Sequence, residues 1–504
     1  MKNNNNIQHQ EKIISSSKGG GREGAFYMVL LALMLVFALY TATRFPYTYI
    51  TMEGDDFWVL TWDFWRLKLA TLPAVSNWLA DYLVQYYSSV PVAACIQTSA
   101  LGIIGVLAHA LLKSFPLRGR WGGWAPWLGL LPPVVLAVFC TFSLAFLIQW
   151  VFLFLLAWAF QYVRNFKARL LFSLICVPVG FLLMTTPVLA VLLLILMVSP
   201  EYLPNGEKGW KPSPRKVVTG LLSLFLLGIT PRIYSQQVVF IPFEQRYTDW
   251  GSYFDPLTSS DNKYGEFIKK CVCMANEGRW EDLLYKEHIK ADAQRGNGVA
   301  LRYALLAESA LGTLPENLLD YPIDDENLFL YPHQSSRIAS QFDRLFYLNL
   351  GIYDDAFHHA QEYSLLMHNG NSFSSLRQLT DYSIEEGEWE MAEKFLSVLS
   401  NSSCHKDFIR ERRARMQQAK KSFKKDIPLR ADNFVGGFPL PVEMLRLARY
   451  YHDSPNRKKM IDYAICSYIL RGDFNSFMIA INAFDIYKDK ELPKAYTIFK
   501  DSFK

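Results

Sequence analysis

The chain has 504 residues, of which 51% are hydrophobic and 20% charged, and its mean hydropathy is +0.07. It is too apolar for a disordered chain and less charged than an average soluble protein. Its charge is unevenly divided: residues 1–240 hold 18 Lys and Arg against 9 Asp and Glu, a net of +9, and the remainder has a net of −4. Because the positive excess belongs to the apolar half, we predict no nucleic-acid partner.

The chain begins with a polar segment, residues 1–23, that is rich in Asn, Ser and Gly. We predict a disordered cytoplasmic tail there, because the segment lacks an apolar run that could build a core. Gly24–Thr43 follows without a charge for 20 residues, and about 20 apolar residues carry a helix across the hydrocarbon core of a bilayer. A cleaved signal peptide is the alternative, and the apolar runs further along the chain favour a retained span.

Further apolar runs predict about seven spans in all, which makes residues 24–240 a transmembrane bundle. The uncharged stretch Trp121–Val163 is long enough for two spans, with a turn near Thr141–Ser143. Leu170–Ser199 is long for one span and short for two, and Thr185–Pro187 favours a division, because proline disfavours helix in the residue before it. The remaining runs are Cys95–Leu112 and Val217–Tyr234.

The basic residues orient this bundle. With the N-terminus in the cytoplasm, 14 of the 18 Lys and Arg residues before position 241 lie on the cytoplasmic side, as the positive-inside rule requires. A single tilted span over residues 170–199 would move the basic cluster Lys208–Lys216 to the outside. We therefore predict a multi-pass protein of the bacterial inner (cytoplasmic) membrane whose C-terminal domain, residues 241–504, is periplasmic.

The long outer loop of the bundle, residues 44–91, is crowded with Trp, Tyr and Phe, side chains that prefer the membrane–water interface. Phe64–Tyr87 is predicted to form one or two helices that lie in that plane. Just before them the loop carries three acidic residues within four positions, Glu53, Asp55 and Asp56.

The order of these features resembles the polytopic GT-C glycosyltransferases, which have an acidic pair soon after the first span, interfacial helices and a compact bundle. The resemblance covers residues 24–234 and implies transfer of a sugar from a polyprenyl-phosphate carrier. It implies that Asp55 or Asp56 is the catalytic acidic group, with Glu53 in support, acting as a general base or through a divalent cation. By the same resemblance, the cations that face the carrier phosphate are Arg66, Lys68 and Arg232.

The sequence departs from this family in the next outer loop. Many such enzymes place a second acidic residue there, whereas the loop near Thr141–Ser143 is short and carries no charge. The alternative interpretation of Glu53–Asp56 is a solvated turn, because Gly and Asp favour turn positions.

Residues 241–504 show the apolar spacing of three to four residues that is typical of soluble helices, as in Leu301–Ala307. A glycine, any residue and an aromatic recur where one helix is predicted to end and the next to begin. The four pairs are Gly278 and Trp280, Gly351 and Tyr353, Gly387 and Trp389, and Gly472 and Phe474. Glycine suits the left-handed C-cap of the first helix, and we predict that the aromatic side chain packs between the two helices.

This pattern resembles tetratricopeptide (TPR) repeats, whose period is about 34 residues. Gly351 and Gly387 are 36 residues apart, and the wider spacings leave room for a degenerate unit and for an insertion at Asp426–Pro441. The resemblance implies a TPR-like α-solenoid with a concave surface for peptides or proteins. An irregular helical domain is the alternative.

The basic run from Arg410 to Lys425 lies among good helix formers. We interpret it as a solvated helix face, with phospholipid headgroups as the alternative partner.

The sequence as a whole predicts an all-α protein, a polytopic bundle of about seven spans followed by a TPR-like α-solenoid. That plan resembles polytopic membrane proteins of Bacteroidota with a TPR-like C-terminal domain, and this resemblance implies no activity. Two functions from different classes follow. Either the bundle anchors a helical domain that binds a protein or peptide partner, or the protein is a GT-C-like glycosyltransferase that uses a polyprenyl-phosphate-linked sugar. The lipid bilayer is a partner in both.

Overall fold

The computed structural model describes residues 2–69, 72–115, 124–140, 142–202, 208–209, 214–237, 260–323, 337–365, 372–402, 404–422, 440–484, 487 and 491–503. The chain forms two compact units. The first comprises Met1–Glu53 and Trp58–Lys263, and the second comprises Gly54–Phe57 and Tyr264–Lys504. Four residues of the predicted outer loop therefore belong to the second unit. The predicted boundary at residue 240 lies outside the described residues.

The first unit is built from apolar helices. They are α1 (Lys2–Arg44), α2 (Pro46–Asp55), α3 (Trp62–Leu69), α4 (Ala74–Val84), α5 (Val90–Lys113), α6 (Leu131–Phe139, after a 3-10 turn at Ala125–Leu130), α7 (Leu144–Phe160), α8 (Phe166–Leu183), α9 (Thr186–Val198) and α10 (Pro214–Gln237). Two short antiparallel strands, β1 (Glu201–Tyr202) and β2 (Lys208–Gly209), pair Glu201 with Gly209. Helices α3 and α4 agree with the prediction of one or two helices over Phe64–Tyr87, and α2 was not predicted.

Four described helices are long and apolar enough to cross a membrane. Their apolar stretches are Glu23–Arg44, Val90–Lys113, Phe166–Leu183 and Val217–Tyr234. Three further apolar helices of this unit are shorter, at Trp127–Phe139, Leu144–Phe160 and Thr186–Val198. Four of the seven predicted spans therefore lie on helices long enough to cross a membrane, and the other three lie on shorter apolar helices.

The prediction of a disordered tail at residues 1–23 is wrong for the described part of this segment. Helix α1 begins at Lys2 and runs through it. Once a helix is nucleated, each added residue contributes one backbone hydrogen bond, so the apolar part of α1 can extend a helix into a polar flank.

The division of residues 170–199 into two helices occurs where proline predicts it, between Leu183 and Thr186. The buried side chain of Gln149 in α7 accepts hydrogen bonds from both the N–H and the hydroxyl of Thr185, each at 2.9 Å. The hydroxyl of Ser76 donates to the carbonyl of Leu183 at 2.5 Å. Side chains from other helices therefore satisfy backbone groups that the interrupted helix leaves unpaired.

The second unit is also helical. Its helices are α11 (Ser260–Asn276), α12 (Ile289–Gln294, after a π turn at Asp282–Lys286), α13 (Gly298–Leu311), α14 (Leu314–Asn317, followed by a 3-10 turn at Leu318–Asp320), α15 (Arg337–Leu350), α16 (Tyr353–Leu365), α17 (Phe373–Glu385), α18 (Trp389–Leu399), α19 (Lys406–Ser422), α20 (Leu440–Tyr450), α21 (Arg457–Leu470), α22 (Phe474–Ala483) and α23 (Lys494–Asp501).

The four predicted glycines adopt the left-handed conformation, with φ between 66° and 77° at Gly278, Gly351, Gly387 and Gly472. At Gly472 the glycine N–H donates to the carbonyl of Ile469 and the N–H of Asp473 donates to the carbonyl of Tyr468, both at 3.0 Å. The same pair of bonds occurs at the other three glycines and is the Schellman arrangement that ends a helix. The predicted glycine C-caps are confirmed.

The aromatic partners of these glycines are half-buried against the hydrophobic cores of the unit. Tyr353, Trp389 and Phe474 are the first residues of α16, α18 and α22. Trp280 precedes the π turn. Ala356 and Ala392, one turn into their helices, are fully buried, so their small side chains lie where the paired helices approach.

Helix α21 is the centre of the largest core in the second unit. Met460–Ile469 are all buried, as expected of a helix that is enclosed on every side. The helix packs against α13, α14 and α15 as well as against its neighbours α20 and α22. Helices distant in sequence therefore share one core.

This packing differs from a linear solenoid, in which each repeat contacts only its neighbours. The last helical hairpins return to the first ones, so that α21 is buried on all sides. Helices α15 to α19 do pack in sequence order, and smaller cores join them. We call α15–α19 the arm. The predicted insertion at Asp426–Pro441 lies largely outside the described residues.

A matched pair of glycine variants tests the C-caps. No atom lies within 4 Å of an added Cβ at either Gly472 or Gly298, but φ is +66° at Gly472, whereas Gly298 begins a helix. We expect Gly472→Ala to lower the opening free energy of α21 and α22 by about 1–2 kcal/mol, because Cβ is strained in that conformation. Gly298→Ala should leave it unchanged or raise local stability by up to about 1 kcal/mol. Hydrogen exchange of the full-length chain in nanodiscs measures both, and equal effects would contradict the assignment.

Candidate functional site

The predicted catalytic residues lie at the end of α2. Glu53 and Asp55 belong to its last turn and Asp56 follows the helix. All three side chains are half-buried. Glu53 belongs to the first unit, whereas Asp55 and Asp56 belong to the second. We call Gly54–Phe57 the acidic turn.

The carboxylate of Asp55 is held by a tyrosine. The hydroxyl of Tyr363, in α16 of the arm, donates a hydrogen bond to Oδ1 of Asp55. Tyr363 is buried, so the bond is shielded from bulk water on the tyrosine side. A charge-assisted bond of this kind is stronger than a neutral one.

The first turn of α17 contacts the two residues that flank Asp55 in the acidic turn. The N–H of Phe373 donates a long hydrogen bond, 3.4 Å, to the backbone carbonyl of Asp56. An added Cβ at Gly54 would lie 3.3 Å from Cβ of Ser374. Ser372 caps α17 by accepting a hydrogen bond from the N–H of Ser375 at 3.0 Å. The acidic turn therefore rests on the α16–α17 corner of the arm through backbone and side-chain contacts.

His405 lies behind this corner. Its imidazole ring stacks on the ring of Phe373, with the centroids 3.5 Å apart and the planes 9° from parallel. Burial lowers the pKa of His405 to about 4, because a buried imidazolium loses its hydration. His405 is therefore neutral at physiological pH and packs as an aromatic ring under Phe373.

The donor set does not by itself fit a divalent cation. Among the residues that the structure describes, no group of three or more His, Cys, Asp or Glu side chains could hold a metal ion. In addition, Oδ1 of Asp55 accepts a hydrogen bond from the hydroxyl of Tyr363. The contacts of the acidic turn are those of a docked segment.

The three cations predicted to face a carrier phosphate differ in environment. Arg66 is exposed on α3 and Arg232 is exposed near the end of α10. Lys68 is buried, and its ammonium group forms an ion pair with Asp81 of α4. Burial raises the pKa of the Asp81 carboxyl, and the ammonium of Lys68 opposes that rise.

Sequence analysis missed Asp81, and a signal for it was present. It is the one acid of α4, Ala74–Val84, which is otherwise mostly apolar. An acid in such a helix requires a partner. The ion pair connects α3 to α4. Removal of either member would leave the other as an unpaired buried charge, which is destabilising.

The described part of the basic run is mostly a solvated helix face, as predicted, because Arg410, Arg413, Arg415, Lys420 and Lys421 are exposed. Three of its arginines also form ion pairs with neighbouring helices. Arg412 of α19 donates to both oxygens of Asp381 in α17, at 2.5 and 3.2 Å. Arg413 donates to Glu393 of α18 at 2.7 Å, and Arg415 pairs with Glu385 of α17. These ion pairs dock α19 on the α17–α18 hairpin.

Two other buried carboxylates of the second unit are bound in the same manner as Asp55. Glu308 accepts from the hydroxyl of Tyr321 and the amide of Asn317, both at 2.8 Å. Asp462 accepts from the hydroxyl of Tyr496 at 3.0 Å and from that of Tyr487. Tyrosine hydroxyls on carboxylates are thus a recurrent structural device of this unit, and Asp55 extends it to the acidic turn.

Comparison with known proteins gives a family for this chain but no function. A model described as "Family of unknown function (DUF6057)" matches residues 23–497. No curated protein and no solved structure matches the chain.

Acidification tests the packing behind the acidic turn. Because the pKa of His405 lies below its ordinary value, its contribution to stability is complete above pH 6.5 and is lost as the pH falls towards 4. The shift corresponds to at most about 3 kcal/mol. We expect hydrogen-exchange protection of α17 and α19, corrected for the intrinsic pH dependence of exchange, to fall over this range.

His405→Phe should remove that loss, since a phenyl ring keeps the stack without a titrating group. His358→Phe is the control, because His358 is exposed on α16. The same pH dependence in wild type and His405→Phe would show that the buried imidazole is not its source.

Proposed function

Since the chain belongs to DUF6057, a family of unknown function, its role has to be argued from its geometry, and we propose that it is a multi-pass membrane protein that presents a helical-repeat unit to a protein or peptide partner outside the cytoplasm. The observation that carries this proposal is the combination of four apolar helices of membrane-crossing length with a second unit whose arm stacks in sequence order.

The acidic turn belongs to the same compact unit as residues 264–504, so we place both on one face of the membrane. The chain between them must then cross the membrane an even number of times. Three of the four long helices, α5, α8 and α10, lie between residues 57 and 264. That odd number would separate Asp55 from Tyr363. If the shorter α6, α7 and α9 also cross, six crossings follow α1 and the parity is satisfied.

The charges support the orientation. A bundle of seven crossings with a cytoplasmic N-terminus keeps 14 of the 18 basic residues of the first 240 on the cytoplasmic side. The acidic turn and the second unit are then periplasmic, and the protein belongs to a bacterial inner membrane.

The arm supports a binding role. Three arginines of α19, Arg412, Arg413 and Arg415, form ion pairs with α17 and α18, and these pairs help to hold the arm together. Met391 and Val398, two helical turns apart on α18, are 41% and 40% exposed. We propose that this TPR-like arm offers such apolar positions to a peptide or protein segment, as stacked helical repeats do.

The second candidate, a GT-C-like transferase, needs the carboxylate of Asp55 or Asp56 to reach an acceptor hydroxyl. The hydrogen bond from Tyr363 favours a docking role for Asp55, since it uses an acceptor site of that carboxylate. The half-buried side chain of Asp56 is the better candidate for the transferase.

Three substitutions separate the two functions in a strain that lacks the native gene. Under the interaction role, Asp55→Asn and Tyr363→Phe weaken the same bond. We therefore expect them to reduce complementation to the same degree, and the double variant to be no worse than either single one. Asp56→Asn is the comparison variant, because the hydrogen bond that Asp56 accepts from the N–H of Phe373 uses its backbone carbonyl and is kept after the substitution.

The transferase makes the opposite prediction. Loss of complementation of a hundredfold or more in Asp55→Asn or Asp56→Asn, with Tyr363→Phe active and all variants equally abundant in the membrane, would overturn the interaction role.

A further inference from the structure

A deep apolar groove opens on the first unit between α4, α5 and α7, with a volume of about 600 Å³. Helix α4 contributes Leu79 and Leu83, α5 lines the groove from Pro91 to Ile103, and α7 lines it from Leu144 to Phe152. None of the lining residues is charged, and the structure describes all of them. The volume is within the range of about 300–1,000 Å³ that holds small-molecule ligands.

The length of the groove matches one leaflet of a bilayer. From Pro91 to Ile103, α5 advances about 18 Å at 1.5 Å per residue. Half of a hydrocarbon core of about 30 Å is about 15 Å. Since Pro91 lies at the start of α5, next to the predicted outer loop, the groove runs from the outer face to about the middle of the membrane.

The lining and the length of the groove indicate a hydrocarbon chain as the occupant. None of the lining residues is charged, and the groove is about as long as the part of a phospholipid acyl chain that lies in one leaflet. A polyprenyl chain, which is several times longer than one leaflet is deep, would overrun the groove.

The groove is continuous with the surface that α5 turns outwards. Val92 and Ile103, near its two ends, are 43% and 48% exposed, and α5 is one of the helices of membrane-crossing length. A lipid chain can therefore enter sideways from the bilayer without passing through water.

We propose that this groove is a binding site for one acyl chain of an outer-leaflet phospholipid, an inference that rests on the membrane placement proposed above. The chain bridges α4 of the outer loop to α5 and α7 of the bundle and seats the loop on the bundle. Its headgroup lies at the α4 end, where the hydroxyls of Tyr82 and Tyr86 are 3.2 Å apart; tyrosine is a side chain that favours the headgroup level.

A pair of tryptophan variants tests the site on the full-length protein. Ser99 lines the groove and its side chain is exposed, so Ser99→Trp fills the groove without removal of a core contact. Val179 of α8 is 48% exposed and does not line the groove, so Val179→Trp is the matched control.

After extensive delipidation in detergent, native mass spectrometry should show about one phospholipid retained per chain in wild type and in Val179→Trp, and at least tenfold less in Ser99→Trp. Equal retention in all three, or no retention in wild type, would overturn the site. Recovery of a polyprenyl phosphate would also overturn it and would favour the transferase. Alkali-resistant sedimentation with membranes tests the membrane placement separately.

A second measurement needs no substitution in the groove. Cys95 lines the groove and its side chain is exposed. A benzophenone maleimide attached to Cys95 in nanodiscs of phosphatidylethanolamine and phosphatidylglycerol should, on irradiation, crosslink to an acyl chain on the Cys95 peptide. Crosslinks to protein alone would contradict the assignment.

Discussion

Backbone hydrogen bonding among apolar helices is the constraint on which the first unit depends. An N–H or C=O group that is enclosed by apolar side chains or by a bilayer must find its partner within the protein. The prolines of this unit, Pro178, Pro187 and Pro231, therefore require other groups to replace the backbone bonds that they remove. Gln149 and Ser76 do this on the two sides of the break before α9. Because these partners come from α7 and α4, the same hydrogen bonds also fix how α4 and α7 pack against the α8–α9 break.

In the second unit, the backbone groups at the helix ends must also find hydrogen-bond partners. Glycine residues in the left-handed conformation make this possible. A left-handed glycine lets two N–H groups turn back onto the last carbonyls of the preceding helix, and the next helix starts within two residues. Tight corners of this kind join α15 to α16 and α17 to α18 within the arm. The acidic turn lies instead where α16 meets α17, whose first turn is capped by Ser372. The contact between Asp55 and Tyr363 uses the carboxylate–tyrosine pairing that also holds Glu308 and Asp462 in place.

Features that depend on local chemistry were predictable from the sequence. Pro187 marked the division of residues 170–199, and each glycine followed by an aromatic marked the end of a helix, since both depend on the backbone preferences of one or two residues. Partners distant in sequence were not predictable. Asp55 and Tyr363 are 308 positions apart, and α21 packs on helices more than a hundred residues before it. Lys68 was predicted to face a phosphate but instead pairs with Asp81. The prediction could not include this partner, because the packing of α3 on α4 brings the two residues together.

The most direct test of the account is whether the outer loop and the C-terminal end of the second unit lie on the same face of the membrane. Single cysteines introduced at exposed positions, Leu60→Cys, Ser502→Cys and Asn165→Cys, can be treated with a membrane-impermeant maleimide in spheroplasts, with peptide mapping to separate them from the native thiols. The account predicts labelling of Leu60→Cys and Ser502→Cys in intact spheroplasts and of Asn165→Cys only after lysis. Labelling of Leu60→Cys in intact spheroplasts with Ser502→Cys reactive only after lysis would contradict it.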